Sequence, residues 1–199
     1  MILGKALGHF AFWGLCLVGC GAPAEEPIAP PEPSPTLLET PAQLEPPELT
    51  EGVLEVQAAI LDTTGRDSLR RFARYADQSP GFASNFEGSR HFDHWSLLRR
   101  TGVDPLRQIE TLFELPHATR TVGGEVWYIW PDFAALSSED LQPERLLPQD
   151  RVRLLDLIGE DGVARIQAGN PYPGIRTAIS AEGRWVYYLH ELGQSEDNP

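Results

Sequence analysis

His91-Phe92-Asp93-His94 sets two histidines at i and i+3, a spacing that puts both imidazoles on one helix face. Zinc is the chemistry that such a pair suits. A catalytic zinc would need a third protein ligand and one open position, and His117, His190 and Asp132 are the residues that could fold alongside. No H-E-x-x-H signature and no C-x-x-C pair fixes that geometry. The more ordinary use of such a pair is structural, one ring packed beside Trp95 and the other capping or hydrogen-bonding a neighbouring turn. The sequence therefore assigns no metal, with His91 and His94 the candidates if one binds.

A serine nucleophile could draw on Ser84, Ser89 or Ser96, all close in sequence to the histidines. No G-x-S-x-G elbow or S-x-x-K motif supplies the strained turn or the adjacent base that activates such a hydroxyl. Glu87 with Asp132 or Glu125 could form a carboxylate pair for glycoside cleavage, but a chain with 29 acidic residues offers many such pairs. No catalytic residue is assigned on these grounds.

The aromatic residues form a denser pattern. Trp127, Tyr128, Trp130, Trp185, Tyr187 and Tyr188 all fall on two short segments that read as strands. Side chains alternate along a strand, so both faces of the sheet would receive rings. One face must pack against helices. Val126, Tyr128 and Trp130 share one face and Trp127 and Ile129 the other, as Trp185, Tyr187 and Leu189 oppose Val186, Tyr188 and His190. If the face away from the helices is partly open, those of Trp127, Trp130, Trp185 and Tyr188 that stand on it would present a platform for a sugar, a peptide or another protein, because such rings combine apolar area with a polar edge. Tyr172, held in the stiff Asn170-Pro171-Tyr172-Pro173-Gly174 loop, would add a further contact. The alternative is a sheet buried on both sides, with Asn85, Arg176 and His190 as polar partners of the core.

The elements that must position these residues read as helices first and strands later, an α+β arrangement. Residues 53–61 carry apolar side chains at 53, 54, 56, 60 and 61, and Gly65 ends that helix. Asp67 reads as the N-cap of a second helix with Leu69, Phe72, Ala73 and Ala76 inward, stopped by Ser79-Pro80-Gly81. A third helix spans 89–101, with Phe92, Trp95 and Leu98 inward, Arg99 and Arg100 at its C-terminus, and Gly102 past its end. Asp104-Pro105 opens a fourth as N-cap and N1, with Leu106, Ile109, Leu112 and Phe113 inward.

Beyond Pro116 the period becomes two. Residues 119–122 and 125–130 flank Gly123-Gly124 as a β-hairpin. Residues 131–147 read as loop with short helical turns, 149–158 as an amphipathic helix with Val152, Leu155 and Ile158 inward, and 161–168 as one or two more turns. A second hairpin pairs 175–180 with 184–191. The expected architecture is four or five helices on a four-stranded antiparallel sheet made of two hairpins.

Charge narrows the function classes. The net charge is −13; Lys5 is the only lysine, and the other 15 basic residues are arginines, all between Arg66 and Arg184. That balance argues against nucleic acid as a partner. Residues 21–50 hold nine of the 18 prolines and six glutamates with no lysine, arginine or aromatic residue, so they read as a disordered, partly extended tether. Residues 51–192 then form a single domain, and 193–199 a polar tail.

The first residues carry the clearest address. A positive start at the amine and Lys5, an apolar run over 6–19 and a small-residue exit have the form of a secretory signal peptide over residues 1–19. The exit, Leu17-Val18-Gly19-Cys20, resembles the lipobox of bacterial lipoproteins. The resemblance covers the leader alone. It implies cleavage before Cys20, a thioether-linked diacylglycerol on its sulfur and a further acyl chain on the new amino terminus, an anchor that two or three chains make firm. Gly21 stands where many inner-membrane lipoproteins carry Asp, so the resemblance implies the outer membrane, facing the periplasm. Ala22-Pro23-Ala24 also has the A-x-A form, and cleavage after Ala24 would instead leave a soluble periplasmic protein. Cys16 lies in the leader, so the domain holds no thiol and must be stabilised by its core.

Together these features describe a membrane-anchored envelope lipoprotein with a small non-catalytic binding domain. Its partner would be an envelope protein or wall polymer, and it needs no cofactor beyond the lipid on Cys20. The alternatives are an envelope hydrolase, metal-dependent through His91 and His94, and a structural subunit of an envelope complex.

Overall fold

The computed structural model describes residues 46–86 and 90–190. The leader, Cys20, the tether through residue 45, Glu87, Ser89 and the tail from 191 lie outside the described residues. Residues 47–50, expected as tether, hydrogen-bond to the domain: His117 Nε2 meets Pro47 O at 2.8 Å, the Tyr128 hydroxyl donates to Glu48 O and the Thr50 hydroxyl to Ala181 O.

The helices follow the apolar period. α1 (Glu51–Gly65) buries Val53, Val56, Ile60, Thr63 and Thr64, and leaves Leu54 and Leu61 exposed. α2 (Leu69–Gln78) buries all four residues expected of it. Its N-cap is Ser68, whose hydroxyl accepts from Arg71 N–H; Asp67 instead takes a left-handed φ of 45° in the turn before it. α3 (His91–Arg100) buries Trp95 and Leu98 as expected, together with His91. α4 (Pro105–Glu114) is capped as its sequence dictates, with Asp104 Oδ1 accepting from Leu106 N–H at 3.1 Å.

α5 (Pro148–Gln167) is broken at Gly159, whose φ of 67° suits a residue without a Cβ. The expected inward face of its first half is corrected here. Leu154 is the buried residue, while Val152 and Leu155 are exposed, because the apolar cluster that receives this helix lies under Phe133, Leu141, Ile166 and Tyr172.

The strands are β1 (Ala83–Ser84), β2 (Ala118–Val122), β3 (Glu125–Trp130), β4 (Arg176–Ser180) and β5 (Trp185–Leu189). Both expected hairpins form, but the sheet is five-stranded and mixed rather than four-stranded and antiparallel. Its order is β1-β5-β4-β3-β2, with β1 running parallel to β5. A two-residue strand has no alternation to read, and its partner lies about a hundred residues away, so only tertiary pairing creates it.

A bulge decides which rings go where. Ala178 pairs with Tyr187 and Ile179 with Trp185, so Val186 is the extra residue on β5 and the alternation of side chains shifts across it. Trp185 and Tyr188, expected on opposite faces, therefore both enter the helix-side core with Phe72, Trp95, Tyr128 and Trp130. Val186 and Tyr187 turn to the other face with Trp127, Ile129 and Ala178.

Candidate functional site

The closest gathering of chemically competent side chains links α2, β1 and α3. Ser79-Pro80-Gly81 ends α2 and reverses the chain, with Gly81 at a φ of 69°, so that β1 returns beside the last turn of the helix carrying Asp77. His91 is the first residue of α3. Its Nδ1 lies 2.5 Å from Asp77 Oδ1, which also accepts from His91 N–H at 3.3 Å. Its Nε2 lies 2.9 Å from Ser84 Oγ.

A carboxylate holding Nδ1–H leaves Nε2 as the acceptor. The Ser84 hydroxyl proton has two acceptors in reach, the imidazole at 2.9 Å and Phe86 O at 3.3 Å, and the imidazole is the nearer. Phe86 N–H donates to the same Oγ at 3.1 Å. The imidazole is buried between Phe82, Phe86 and Trp95, with ring centroids 5.2, 5.7 and 5.1 Å away. The Asp77 side chain remains 29% exposed.

Two further histidines stand close by. His94 stacks on Phe86 at 5.0 Å, and burial, then the neighbouring His91, lowers its pKa. The His190 ring meets the edge of Tyr188 at 4.4 Å, and its backbone N–H donates to Asn85 Oδ1. Both ring nitrogens of His190 are buried without a partner among the described residues. Burial, aided by His94, pushes its pKa down to about 4, so it is neutral at physiological pH.

No group of three or more His, Cys, Asp or Glu side chains fit to hold a metal ion occurs among the described residues. Both nitrogens of His91 are committed to Asp77 and Ser84. Of the suggested third ligands, His117 packs on Trp130, and Asp132 pairs with Arg153 at 2.7 Å.

The aromatic platform is corrected by burial. Trp130, Trp185 and Tyr188 are each no more than 1% exposed, because all three lie on the helix-covered face, where the bulge in β5 brings Trp185 and Tyr188 together. Tyr172 turns inward against Phe133, Leu154 and Ile166 rather than standing out from its loop. Trp127 alone of the five is partly open; its indole N–H donates to Glu125 Oε2 at 2.8 Å, and its ring meets Tyr187 at 6.1 Å.

Tyr172 instead lines a cavity. Arg107, Gln108, Thr111, Leu112 and Leu115 of α4 and the segment after it, Leu157 of α5, Tyr172 and Ile175 line an open pocket of about 260 Å³. Its lining is mainly apolar. Gln108 Oε1, shut off from solvent, has no hydrogen-bond donor among the described residues. Burial raises the Tyr172 pKa well above its usual range, so the phenol stays protonated.

Sequence reading missed Asp77 and the cavity, and it set Ser84 aside for want of a motif. No spacing rule joins Asp77 to His91 across an irregular turn, and a pocket wall shared by two helices carries no signal until both are packed. No known family profile matches this chain, and neither a curated protein nor a solved structure is significantly similar to it.

Proposed function

We propose that the protein is an envelope lipoprotein, anchored through Cys20 and spaced from the membrane by residues 21–46, whose domain binds a small ligand in the α4–α5 cavity. The leader supports the address through its lipobox resemblance. The observation that carries the binding reading is the pocket itself, about 260 Å³ walled mainly by Leu112, Leu115, Leu157, Tyr172 and Ile175. Covering such a wall removes apolar surface from water at about 25 cal/mol per Å².

Cavity size sets the ligand class. Drug-sized ligands occupy roughly 300–1,000 Å³, so about 260 Å³ suits one ring or a short acyl chain. Leu112, Leu115, Leu157 and Ile175 supply the apolar wall, so the ligand portion that enters is apolar.

Titration of the full chain with benzyl alcohol and with toluene, read by NMR shifts of residues 107–115 and 172–175, tests this reading. Both probes should shift the same residues, with toluene binding at least as tightly as the alcohol, and Leu157→Trp should abolish both responses. Absence of localised shifts, or shifts unchanged in Leu157→Trp, would overturn it.

A further inference from the structure

We propose a second activity, independent of the cavity: Ser84, His91 and Asp77 form the relay of a serine ester hydrolase acting on carboxylic esters with a short apolar acyl group. The juxtaposition of three distant side chains, acid to Nδ1 at 2.5 Å and Nε2 to hydroxyl at 2.9 Å, supplies a nucleophile, a base and the group that orients the base. Ser84 and His91 are the catalytic residues. Asp77 is a positioning residue, since it acts through the imidazole.

The chemistry balances with water as the only co-reactant. Ser84 Oγ attacks the ester carbonyl carbon as its proton passes to His91 Nε2, and Asp77 stabilises the imidazolium through Nδ1–H. Collapse of the tetrahedral adduct breaks the ester C–O bond, and the departing alcohol takes the proton from Nε2. Water, deprotonated by His91, then attacks the acyl group on Ser84, releasing the carboxylic acid and restoring the hydroxyl.

Surroundings narrow the substrate. Phe82 and Phe86 flank the imidazole edge-on at 77° and 74°, walls suited to an apolar acyl group. Arg90, the nearest preceding cation in sequence, is already paired with Asp93 at 2.9 Å, which disfavours an anionic substrate. Asn85 adjoins the nucleophile. With its Oδ1 fixed by His190 N–H, its side-chain NH₂ makes no hydrogen bond among the described residues and is the available donor for the developing oxyanion.

The same three side chains also staple α2, β1 and α3, so the test must separate reactivity from stability. The full chain in detergent is treated with a fluorophosphonate, which phosphonylates an activated serine oxygen with loss of fluoride, and the adduct is located by peptide mass spectrometry. The expected result is labelling at Ser84 that vanishes in Ser84→Ala and slows by roughly 10⁴-fold in Asp77→Asn. The pH dependence of labelling should also shift in Asp77→Asn, a change that loss of a staple alone would not cause. Hydrolysis of p-nitrophenyl butyrate should show a burst equal to the protein concentration, absent in Ser84→Ala. A wild-type protein with intact near-ultraviolet circular dichroism and no adduct on Ser84, or equal labelling rates in wild type and folded Asp77→Asn, overturns the proposal. Neither result bears on the cavity, which is read with different probes at different residues.

Discussion

The indole N–H of Trp185 donates to the hydroxyl of Thr177 at 2.9 Å in the interior of the sheet, and that hydroxyl donates in turn to Tyr187 O at 2.7 Å. Trp185 is thus tied to β4 and Thr177 to β5 across the bulge at Val186. Thr177→Val keeps the shape and removes the acceptor, leaving a buried N–H unpaired. Stability should fall by about 1–3 kcal/mol, measured by urea unfolding. A midpoint within error of wild type would show that the indole finds another acceptor.

Phe72 is the hub of the helix-side core, with ring centroids 4.6 Å from Trp95, 5.3 Å from Trp185 and 5.9 Å from Tyr188. Phe72→Ala opens a cavity at the point where α2 meets the sheet. The expected loss is about 3–5 kcal/mol, together with a weakened near-ultraviolet signal from the two indoles. A loss below about 1 kcal/mol would place the hub elsewhere.

His190 gives the fold a pH dependence of defined sign. Its folded pKa of about 4 lies below the ordinary 6.5, so the unfolded chain takes up a proton first as the pH falls. The contribution is fully present above pH 6.5 and is lost as the pH drops toward 4, amounting to on the order of 3 kcal/mol. His94, lowered for the same physical reason, adds in the same direction. His190→Leu should flatten most of the slope of unfolding free energy between pH 6.5 and 4, and an unchanged slope would rule this source out.

Glu125 and Glu182 interact at the hairpin ends. The Trp127 N–H, a hydrogen bond to Glu182 and the Arg184 guanidinium hold Glu125 down at about 2, while the contact with Glu125 raises Glu182. For Glu182 the stabilising protonated form is present below its unfolded pKa and lost as the pH rises through its raised folded value. Glu182→Gln keeps a donor to Glu125 and removes the repulsion. The variant should gain stability relative to wild type at pH 7 and match it at pH 4; a gain of equal size at both would assign the effect to something other than this proton.

Cys20→Ser tests the address. A fatty-acid probe should label wild type and leave the variant unlabelled, and the variant should leave the membrane fraction. Membrane retention unchanged by the substitution would refute the lipid anchor.

Much of the local structure was legible because it depends on near neighbours. Leu69, Phe72, Ala73 and Ala76 announce a helix face by their spacing, Asp104-Pro105 announces its own cap, and Gly123-Gly124 marks a hairpin that forms where expected. Val152 and Leu155 were misread because an amphipathic stripe shows that a helix has an inward face without showing where the receiving cluster lies. Trp185 and Tyr188 were misread because one inserted residue, Val186, shifts every later side chain, and nothing in the residues 185–189 themselves marks that insertion.

The sequence by itself determined the α+β class, the helix boundaries near their breakers and the two hairpins, because caps, glycines and periodicity act over a few residues. Tertiary structure alone decided that β1 joins the sheet in parallel with β5, that four of the five candidate rings are core, and that Asp77, Ser84 and His91 meet. Those outcomes depend on contacts between segments distant along the chain, whose geometry is set by how the helices and the sheet fill one interior.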